Sequence, residues 1–129
     1  MARMPREDRS KALEALSAKI KRQLDALDED ALAEYGEMFE GRYSPKNALL
    51  ILAQRPDATV VRGYNQWKDE GRHVRKGETG IKIRKVVARG EQKNDAGEIT
   101  KTGYRSVIWL TVFDIDQTDP VAVTAAVAA

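Results

Sequence analysis

The strand that decides the fold is Tyr104-Arg105-Ser106-Val107-Ile108-Trp109-Leu110-Thr111-Val112-Phe113. Its apolar residues leave little polar surface on either face, which is typical of a central strand that is covered on both sides. The preceding segment, residues 89–102, is polar and rich in turn-forming residues. We therefore expect that segment to be either a flexible loop or the tip of a longer hairpin.

A second strand is predicted upstream, in Ile81-Lys82-Ile83-Arg84. Alternation of apolar and charged residues favours a strand with one buried face. The turn Gly77-Glu78-Thr79-Gly80 comes directly before it. This order predicts a hairpin that pairs the strand with the segment around Val74.

Four helices are predicted before these strands. Residues 10–27 carry leucine and isoleucine at spacings of three and four, which indicates an amphipathic helix. A second helix is expected to begin at an N-cap, Asp28 or Asp30, and to end at Gly41.

The third and fourth helices have clear boundary signals. Ser44-Pro45 is a favoured N-cap and first position, and the helix it opens runs to about Gln54. A short helix over residues 65–70 is expected to end at Gly71, which can adopt the left-handed conformation that closes many helices.

The order of these elements predicts an α+β fold, in which N-terminal helices pack on a small antiparallel β-sheet formed by the C-terminal half. The length of 129 residues suits one domain, which we expect to span residues 10–120. We expect residues 1–9 to be a flexible N-terminus and residues 121–129, rich in alanine and valine, to be a disordered tail.

The residue inventory argues against an enzyme. The chain has no cysteine and one histidine, His73, which excludes cysteine nucleophiles and metal centres built from several histidines. Asp114 and Asp116 could hold a hard cation, although aspartates at a strand end are more often turn residues. We therefore expect no catalytic residue, no metal and no cofactor. No apolar run has the length of a membrane span or signal peptide, so we expect a cytoplasmic protein.

The segment from Arg62 to Arg89 is strongly basic. It contains nine Lys or Arg minus three acids, a local charge of +6 in a chain whose net charge is +2. Clustered cations attract phosphates, and the rings of Tyr64 and Trp67 could stack on unpaired bases, so the pattern favours nucleic-acid binding. The alternative is a solvated hairpin face, because most charge runs are solvated surface.

Two features of this segment also have ordinary structural explanations. The Gly77–Gly80 turn can simply use its glycines for positive φ, or its amides can hold a phosphate beside Arg75 and Lys76. Trp67 on a short helix is more often packed in a core than used as a platform for bases. Tyr64 is the better stacking candidate, since its hydroxyl tolerates a wet rim.

Three blocks of the sequence follow one another: Tyr43-Ser44-Pro45-Lys46-Asn47-Ala48-Leu49-Leu50-Ile51, Gly63-Tyr64-Asn65-Gln66-Trp67-Lys68-Asp69-Glu70-Gly71-Arg72-His73-Val74-Arg75-Lys76-Gly77-Glu78-Thr79-Gly80-Ile81 and Val112-Phe113-Asp114-Ile115-Asp116-Gln117-Thr118. Together they resemble the N-terminal domain of the ArdC antirestriction family, and the middle block is the most specific. The resemblance implies a single-stranded-DNA-binding module carried by plasmids, phages and other mobile elements, which shields incoming DNA from restriction endonucleases.

The resemblance also bears on individual residues. Longer family members continue into a zinc metalloprotease-like domain, and we expect no protease role for this chain. Thr79 stands where the family commonly has a lysine, which removes one cation from the turn. The positions that match recurrent family residues are Asn47, Trp67, Gly71, Val74, Arg75, Lys76, Gly77, Glu78, Gly80, Phe113 and Gln117.

Chemistry and resemblance together predict the DNA-binding residues. Tyr64 or Tyr43 is expected to stack on bases, while Asn47 and Gln117 are expected to hydrogen-bond either the protein interior or a base edge. The cations expected to bind phosphates are Arg75, Lys76, Lys82 and Arg84. The full predicted set is Tyr43, Asn47, Arg62, Tyr64, Trp67, Lys68, Arg72, Arg75, Lys76, Lys82 and Arg84.

The predicted function is a sequence-tolerant single-stranded DNA-binding protein that acts as an antirestriction or DNA-protection module of a mobile element or phage. Single-stranded DNA is the expected partner, a membrane is not, and a homodimer could form through the N-terminal helix. The alternative is a protein–protein adaptor of a conjugation, replication or restriction-evasion complex without direct nucleic-acid binding, using the Leu13–Leu27 stripe or the apolar strand. Duplex DNA or RNA is a third option, since no residue identifies the sugar.

Overall fold

The computed structural model describes residues 5–121, with most of its helices in the first half and an antiparallel sheet in the second. This arrangement confirms the predicted α+β fold. Helix α1 spans Arg6–Asp25, so residues 6–9, expected in a flexible N-terminus, are helical. The tail from residue 122 onward, expected to be disordered, lies outside the described residues.

Helices α1 and α2 follow the predicted pattern with one shifted boundary. α1 contacts α3 in the same chain and buries Ser17 and Ile20. α2 spans Glu29–Glu37, and its N-cap Asp28 accepts a hydrogen bond from the Ala31 amide at 2.9 Å. It ends before the predicted Gly41 because the next residue is extended and a separate 3₁₀ turn, Phe39–Gly41, follows.

Helices α3 and α4 agree with their sequence signals. α3 spans Pro45–Gln54, and the Ser44 hydroxyl accepts the Asn47 amide at 3.2 Å. α4 spans Tyr64–Asp69. Gly71 follows with φ of 79°, the left-handed conformation expected for a residue that ends a helix.

The central sheet has three antiparallel strands in the order β1 (Val61–Gly63), β6 (Tyr104–Asp114) and β3 (Ile81–Arg89). The long strand β6 lies in the middle as predicted, but β1 pairs only with residues 112–114, and the predicted cover on both sides does not extend to Tyr104, Val107 and Leu110, which are exposed. β3 and β6 extend past the body of the protein as a two-stranded arm, and a small hairpin forms the tip of the arm, which agrees with the longer-hairpin alternative. The strands of this hairpin are β4 (Gln92–Lys93) and β5 (Ile99–Lys101).

The hairpin predicted around the Gly77–Gly80 turn is wrong. β2 (Arg72–Val74) pairs with β7 (Thr118–Pro120), while β3 pairs with β6. The loop therefore crosses from one sheet to the other. Buried Gln117 holds it there by donating from Nε2 to the Thr79 carbonyl at 2.6 Å.

Helix α3 covers the outer edge of β3 with two side-chain amides. Asn47 accepts the Arg84 N–H and donates to the Arg84 carbonyl, both at 2.9 Å. Gln54, two turns later, does the same for Lys82 at 2.9 and 2.7 Å. The two amides take the place of a neighbouring strand, because they hydrogen-bond the main-chain N–H and carbonyl groups that would otherwise be unpaired at the edge of the sheet.

The hydrophobic core lies between α3 and one face of the sheet. Because side chains alternate along a strand, Ile81 and Ile83 enter this core, whereas Lys82 and Arg84 project to the opposite face. The buried cluster consists of Phe39, Ala48, Ile51, Val61, Ile81, Ile83 and Val112.

Candidate nucleic-acid interface

Two members of the predicted set, Trp67 and Arg62, belong to the protein interior. The Trp67 side chain is only 2% exposed, and its indole N–H donates to the Phe113 carbonyl at 2.9 Å. The Arg62 guanidinium lies 5.1 Å from the centre of that ring. It also forms ion pairs with Glu40 at 2.9 Å and Glu70 at 2.8 Å. In this conformation neither residue can meet a nucleic acid, so their assignment to the interface is corrected.

Arg75, expected to bind phosphate, is fully engaged by the fold. Its guanidinium hydrogen-bonds Asp119 at 3.0 Å, Glu78 at 3.3 Å and the carbonyl oxygens of Asp116 and Thr118. The hydrogen bond that Arg75 donates to the Asp119 carboxylate is the main cause that raises the pKa of Arg75. With four of its five N–H donors engaged and two carboxylates alongside, this residue ties the 75–80 loop to β7 and is a poor phosphate ligand.

Three further predicted residues also make structural contacts. Arg72 donates to the Thr118 hydroxyl at 2.7 Å and the Thr118 carbonyl at 3.1 Å. The Asn47 side-chain amide hydrogen-bonds the main chain of β3, which agrees with the predicted alternative that it bonds the protein interior. The Tyr43 hydroxyl donates to the Val61 carbonyl at 2.8 Å, and burial raises the pKa of Tyr43. A ring anchored in this way is less available for stacking than expected.

Of the two aspartates at the end of β6, Asp114 has hydrogen-bond partners for its carboxylate within the fold. Asp114 is fully buried, and its oxygens accept the Thr59 amide at 2.8 Å and the Asp116 amide at 3.0 Å. Within residues 5–121 no group of three or more potential metal ligands comes together. Gln117 accepts the Asp114 amide at 2.9 Å, so it too hydrogen-bonds the interior.

The other predicted residues divide between two surfaces. Lys68, Lys76 and Tyr64 are exposed around α4 and the 75–80 loop, with Tyr64 at 55% exposure. Lys82 and Arg84 lie on the face of β3 that points away from the core. In the described part of the chain, none of the four cations has a carboxylate within 4 Å.

A groove runs between α1 and this second face of the sheet, and we call it the α1 groove. Its volume is about 1060 Å³. Arg6 and Arg9 of α1 lie along it, Lys82 and the Trp109 ring come from the sheet, and the Gly77–Gly80 loop closes one end. Leu13 and Leu16 add apolar surface. The groove thus combines three cations, an indole ring and an apolar lining.

Strand register explains why these groups meet. Lys82 lies opposite Thr111, and Arg84 lies opposite Trp109. Opposite residues of an antiparallel pair share a face, so the cations and the indole project together. The Lys82 ammonium hydrogen-bonds the Thr111 hydroxyl, and the Trp109 indole N–H donates to Glu14 of α1 at 3.3 Å.

Positive charge is concentrated beside the α1 groove. Burial lowers the pKa of Lys46, and the charges of Arg84 and Lys21 lower it further, against an opposing effect of Glu14. The Arg84 Nε atom is buried and has no hydrogen-bond partner in residues 5–121. Cations that repel one another and lack partners would be stabilised by a bound anion.

The sequence did not identify three members of this surface: Arg6, Arg9 and Trp109. The arginines fell in a segment expected to be flexible, and Trp109 fell in a strand expected to be covered on both faces. The sequence did contain one indication for Trp109. Side chains alternate along a strand, so a tryptophan next to core-facing residues must point to the other face of the sheet. Its partner Glu14 is 95 residues away, however, and only the tertiary fold brings α1 over the strand.

The described residues include no helix that is long and apolar enough to cross a membrane. Residues 10–113 match the family described as the N-terminal domain of anti-restriction factor ArdC. Because the match covers most of the chain, the protein belongs to this family.

Two solved structures are similar to the chain, both of antirestriction ArdC protein from R388 plasmid. The metal-free crystal structure is 27% identical with a TM-score of 0.46 and aligns over 60% of this chain and 29% of that one. The Mn(II)-bound crystal structure is 26% identical with a TM-score of 0.39, over 61% and 31%. The chain therefore spans less than a third of those proteins. Curated proteins give no significant match.

Proposed function

We propose that this chain binds single-stranded DNA in the α1 groove, with little preference for sequence, and so serves as an antirestriction module of a mobile element or phage. One observation carries the proposal. Among residues 5–121, cations without carboxylate partners and an aromatic ring line the same groove, with Arg6 and Arg9 on one wall and Lys82 on the other.

The chemistry of binding follows from these groups. The arginines and Lys82 neutralise phosphates and release their counterions, which requires no particular base sequence. The Trp109 ring and the leucines of α1 offer an apolar surface on which an unpaired base can stack. A duplex keeps its bases paired and stacked internally, so it can use only the phosphate contacts. We therefore expect a preference for unpaired DNA.

Membership in an antirestriction family supports a protective role for this binding. We propose that the protein protects by covering the strand, without catalysis. Among the described residues that line the α1 groove there is no histidine, and the one carboxylate, Glu78, is engaged by Arg75 and Gln117. A bound strand is withheld from nucleases for as long as the complex lasts.

Titration of labelled single-stranded and duplex oligonucleotides at two salt concentrations tests the proposal. We expect tighter binding of the single strand, and weaker binding at the higher salt concentration. Equal affinity for both forms would contradict the stacking contribution, and no binding to either would contradict the proposal.

The adaptor alternative makes the opposite prediction. A complex with another protein through apolar surface survives high salt and nuclease treatment, because it does not depend on phosphate contacts. Capture of such a complex together with an absence of oligonucleotide binding would favour the adaptor.

A further inference from the structure

Strand β6 has an edge that the described chain leaves open. β3 pairs with β6 along residues 104–112 on one side, but β1 covers the other side only at residues 112–114. β1 ends at Gly63 because the next residue begins α4. Within residues 5–121, the stretch Tyr104–Leu110 therefore has a strand on one side only.

The chemistry of this edge favours pairing with another strand. Every second residue of a strand directs its N–H and carbonyl toward the open side, and these groups seek partners. Natural proteins usually protect such edges with charges, yet Arg105 is the single charge among the seven residues of this stretch. The free part of the β3 edge is different, since residues 85–89 carry both Lys85 and Arg89.

Exposed apolar side chains are concentrated on the same stretch. Tyr104 is 65% exposed, Val107 38% and Leu110 39%. Because side chains alternate along a strand, Tyr104 and Leu110 lie on one face of β6 and Val107 lies on the other, so exposed apolar surface borders the open edge on both faces. Such exposed surface is what a binding site leaves uncovered when its partner is absent.

We propose that a second copy of this chain pairs with β6 along this edge, antiparallel, about a two-fold axis through Val107. The two three-stranded sheets then form one continuous sheet of six strands. This interface differs from the homodimer through the N-terminal helix that the sequence suggested, because it is formed by β6 and does not involve α1.

Geometry selects this register. A two-fold axis normal to the sheet relates the two identical antiparallel edges and keeps each side chain on its own face of the sheet. Opposite residues of an antiparallel pair share a face. The axis must therefore pass midway between the two copies of one residue. Val107 is the midpoint of the open stretch. This axis places Tyr104 opposite the partner's Leu110, Arg105 opposite the partner's Trp109 and Val107 opposite its own copy. Tyr104 and Leu110 therefore cover each other on the core-facing side, the two Val107 side chains meet on the other side, and the lone charge meets an aromatic ring.

A cavity next to the open edge fits the same arrangement. It has a volume of about 470 Å³ and lies where β1 stops, lined by Tyr43, Gly63, Ile83 and Leu110 among others. Tyr104 of the partner subunit would lie opposite Leu110 and on the core-facing side, so its ring can enter this space. A tyrosine that is largely exposed in one chain would thereby become buried in the dimer.

The two-fold axis has a consequence for the α1 groove. An axis normal to the sheet leaves both copies facing the same way, so both α1 grooves lie on one side of the six-stranded sheet. A single DNA strand could then contact both grooves. The dimer does not depend on DNA binding, and each can fail without the other.

Sedimentation velocity of the full chain tests the dimer. We expect the wild-type protein to approach twice the 14.4 kDa of one chain as its concentration rises. Val107→Lys places two like charges opposite each other at the axis, and we expect it to leave a monomer. Val86→Lys is the matched control, because Val86 lies directly opposite Val107 on β3 and is even more exposed (46% against 38%), but it lies away from the proposed interface.

Chemical cross-linking supplies an independent measurement in this cysteine-free chain. In the proposed dimer the two copies of residue 107 lie about 5 Å apart, and the two copies of residue 86 lie three strand spacings apart, about 14 Å. A short bismaleimide should therefore link Val107→Cys chains and leave Val86→Cys chains unlinked. A monomer at all accessible concentrations, or equal behaviour of the 107 and 86 variants in both assays, would overturn the proposal.

Discussion

Removal of Lys82, which lines the α1 groove, together with Arg84, which lies beside it opposite Trp109, gives the sharpest prediction about DNA binding. The change is the double substitution Lys82→Gln with Arg84→Gln. Both residues project from the face of β3 opposite the core, and neither has a carboxylate within 4 Å in the described residues. Glutamine keeps a polar side chain of similar reach, so the main perturbation is the loss of charge.

The magnitude follows from four cations: Arg6, Arg9, Lys82 and Arg84. Each phosphate contact on a single strand adds about −0.7 to the slope of log affinity against log salt, so four contacts give about −2.8. Between 50 and 200 mM salt the wild-type affinity should fall about 50-fold. The double variant keeps two contacts, so its slope should be about −1.4 and its affinity should fall about sevenfold.

Fluorescence anisotropy of a labelled single-stranded oligonucleotide over this salt range measures both slopes. The matched control is Lys93→Gln with Lys101→Gln, which removes the same charge from the arm tip and should leave the slope unchanged. Urea unfolding checks that both proteins remain folded. If the control flattens the slope as much as the β3 variant does, binding depends on net charge and the groove assignment is refuted.

The remaining predictions concern stacking and stability. Trp109→Ala should weaken single-strand binding by about 1–3 kcal/mol with an unchanged salt slope, whereas Tyr64→Ala should change the affinity little. The reverse result in the same titrations would show that Tyr64 stacks on the DNA, as the sequence predicted. Gly80→Ala should destabilise the fold by about 1–3 kcal/mol in urea unfolding, because the added Cβ would overlap the Thr111 side chain. A variant as stable as the wild type would show that the loop moves to accommodate the added atom. Asn47→Ala should also destabilise the fold by about 1–3 kcal/mol, because it leaves two main-chain groups of β3 without hydrogen-bond partners. Amide hydrogen exchange at this edge of β3 should then become faster, and unchanged exchange would contradict the role of Asn47 in covering the edge.

Local features of the fold could be predicted from the sequence. Ser44 caps α3 as expected, and Gly71 adopts positive φ at the end of α4. Both are determined by residues a few positions apart. The central position of β6 could also be predicted, because a strand with little polar surface needs cover on both sides.

Long-range pairing and the site itself could not be predicted in the same way. The partner of β2 is set by contacts such as Gln117 to Thr79, which join residues 38 apart. Arg75, which the sequence suggested as a phosphate ligand, instead donates hydrogen bonds to Glu78 and Asp119 in the same region. A charge run shows how many cations are present. Only the tertiary structure shows that Glu40 and Glu70 neutralise Arg62, while Lys82 has no such partner among residues 5–121.

The two tryptophan indole N–H groups provide the most direct test of where DNA binds. In a ¹⁵N-resolved NMR titration with a single-stranded oligonucleotide, we expect the Trp109 indole signal to shift, because that ring lies in the α1 groove. The Trp67 signal should remain in place, since its N–H is held by the Phe113 carbonyl in the interior. Saturable binding that moves the Trp67 signal and leaves Trp109 unchanged would contradict the account.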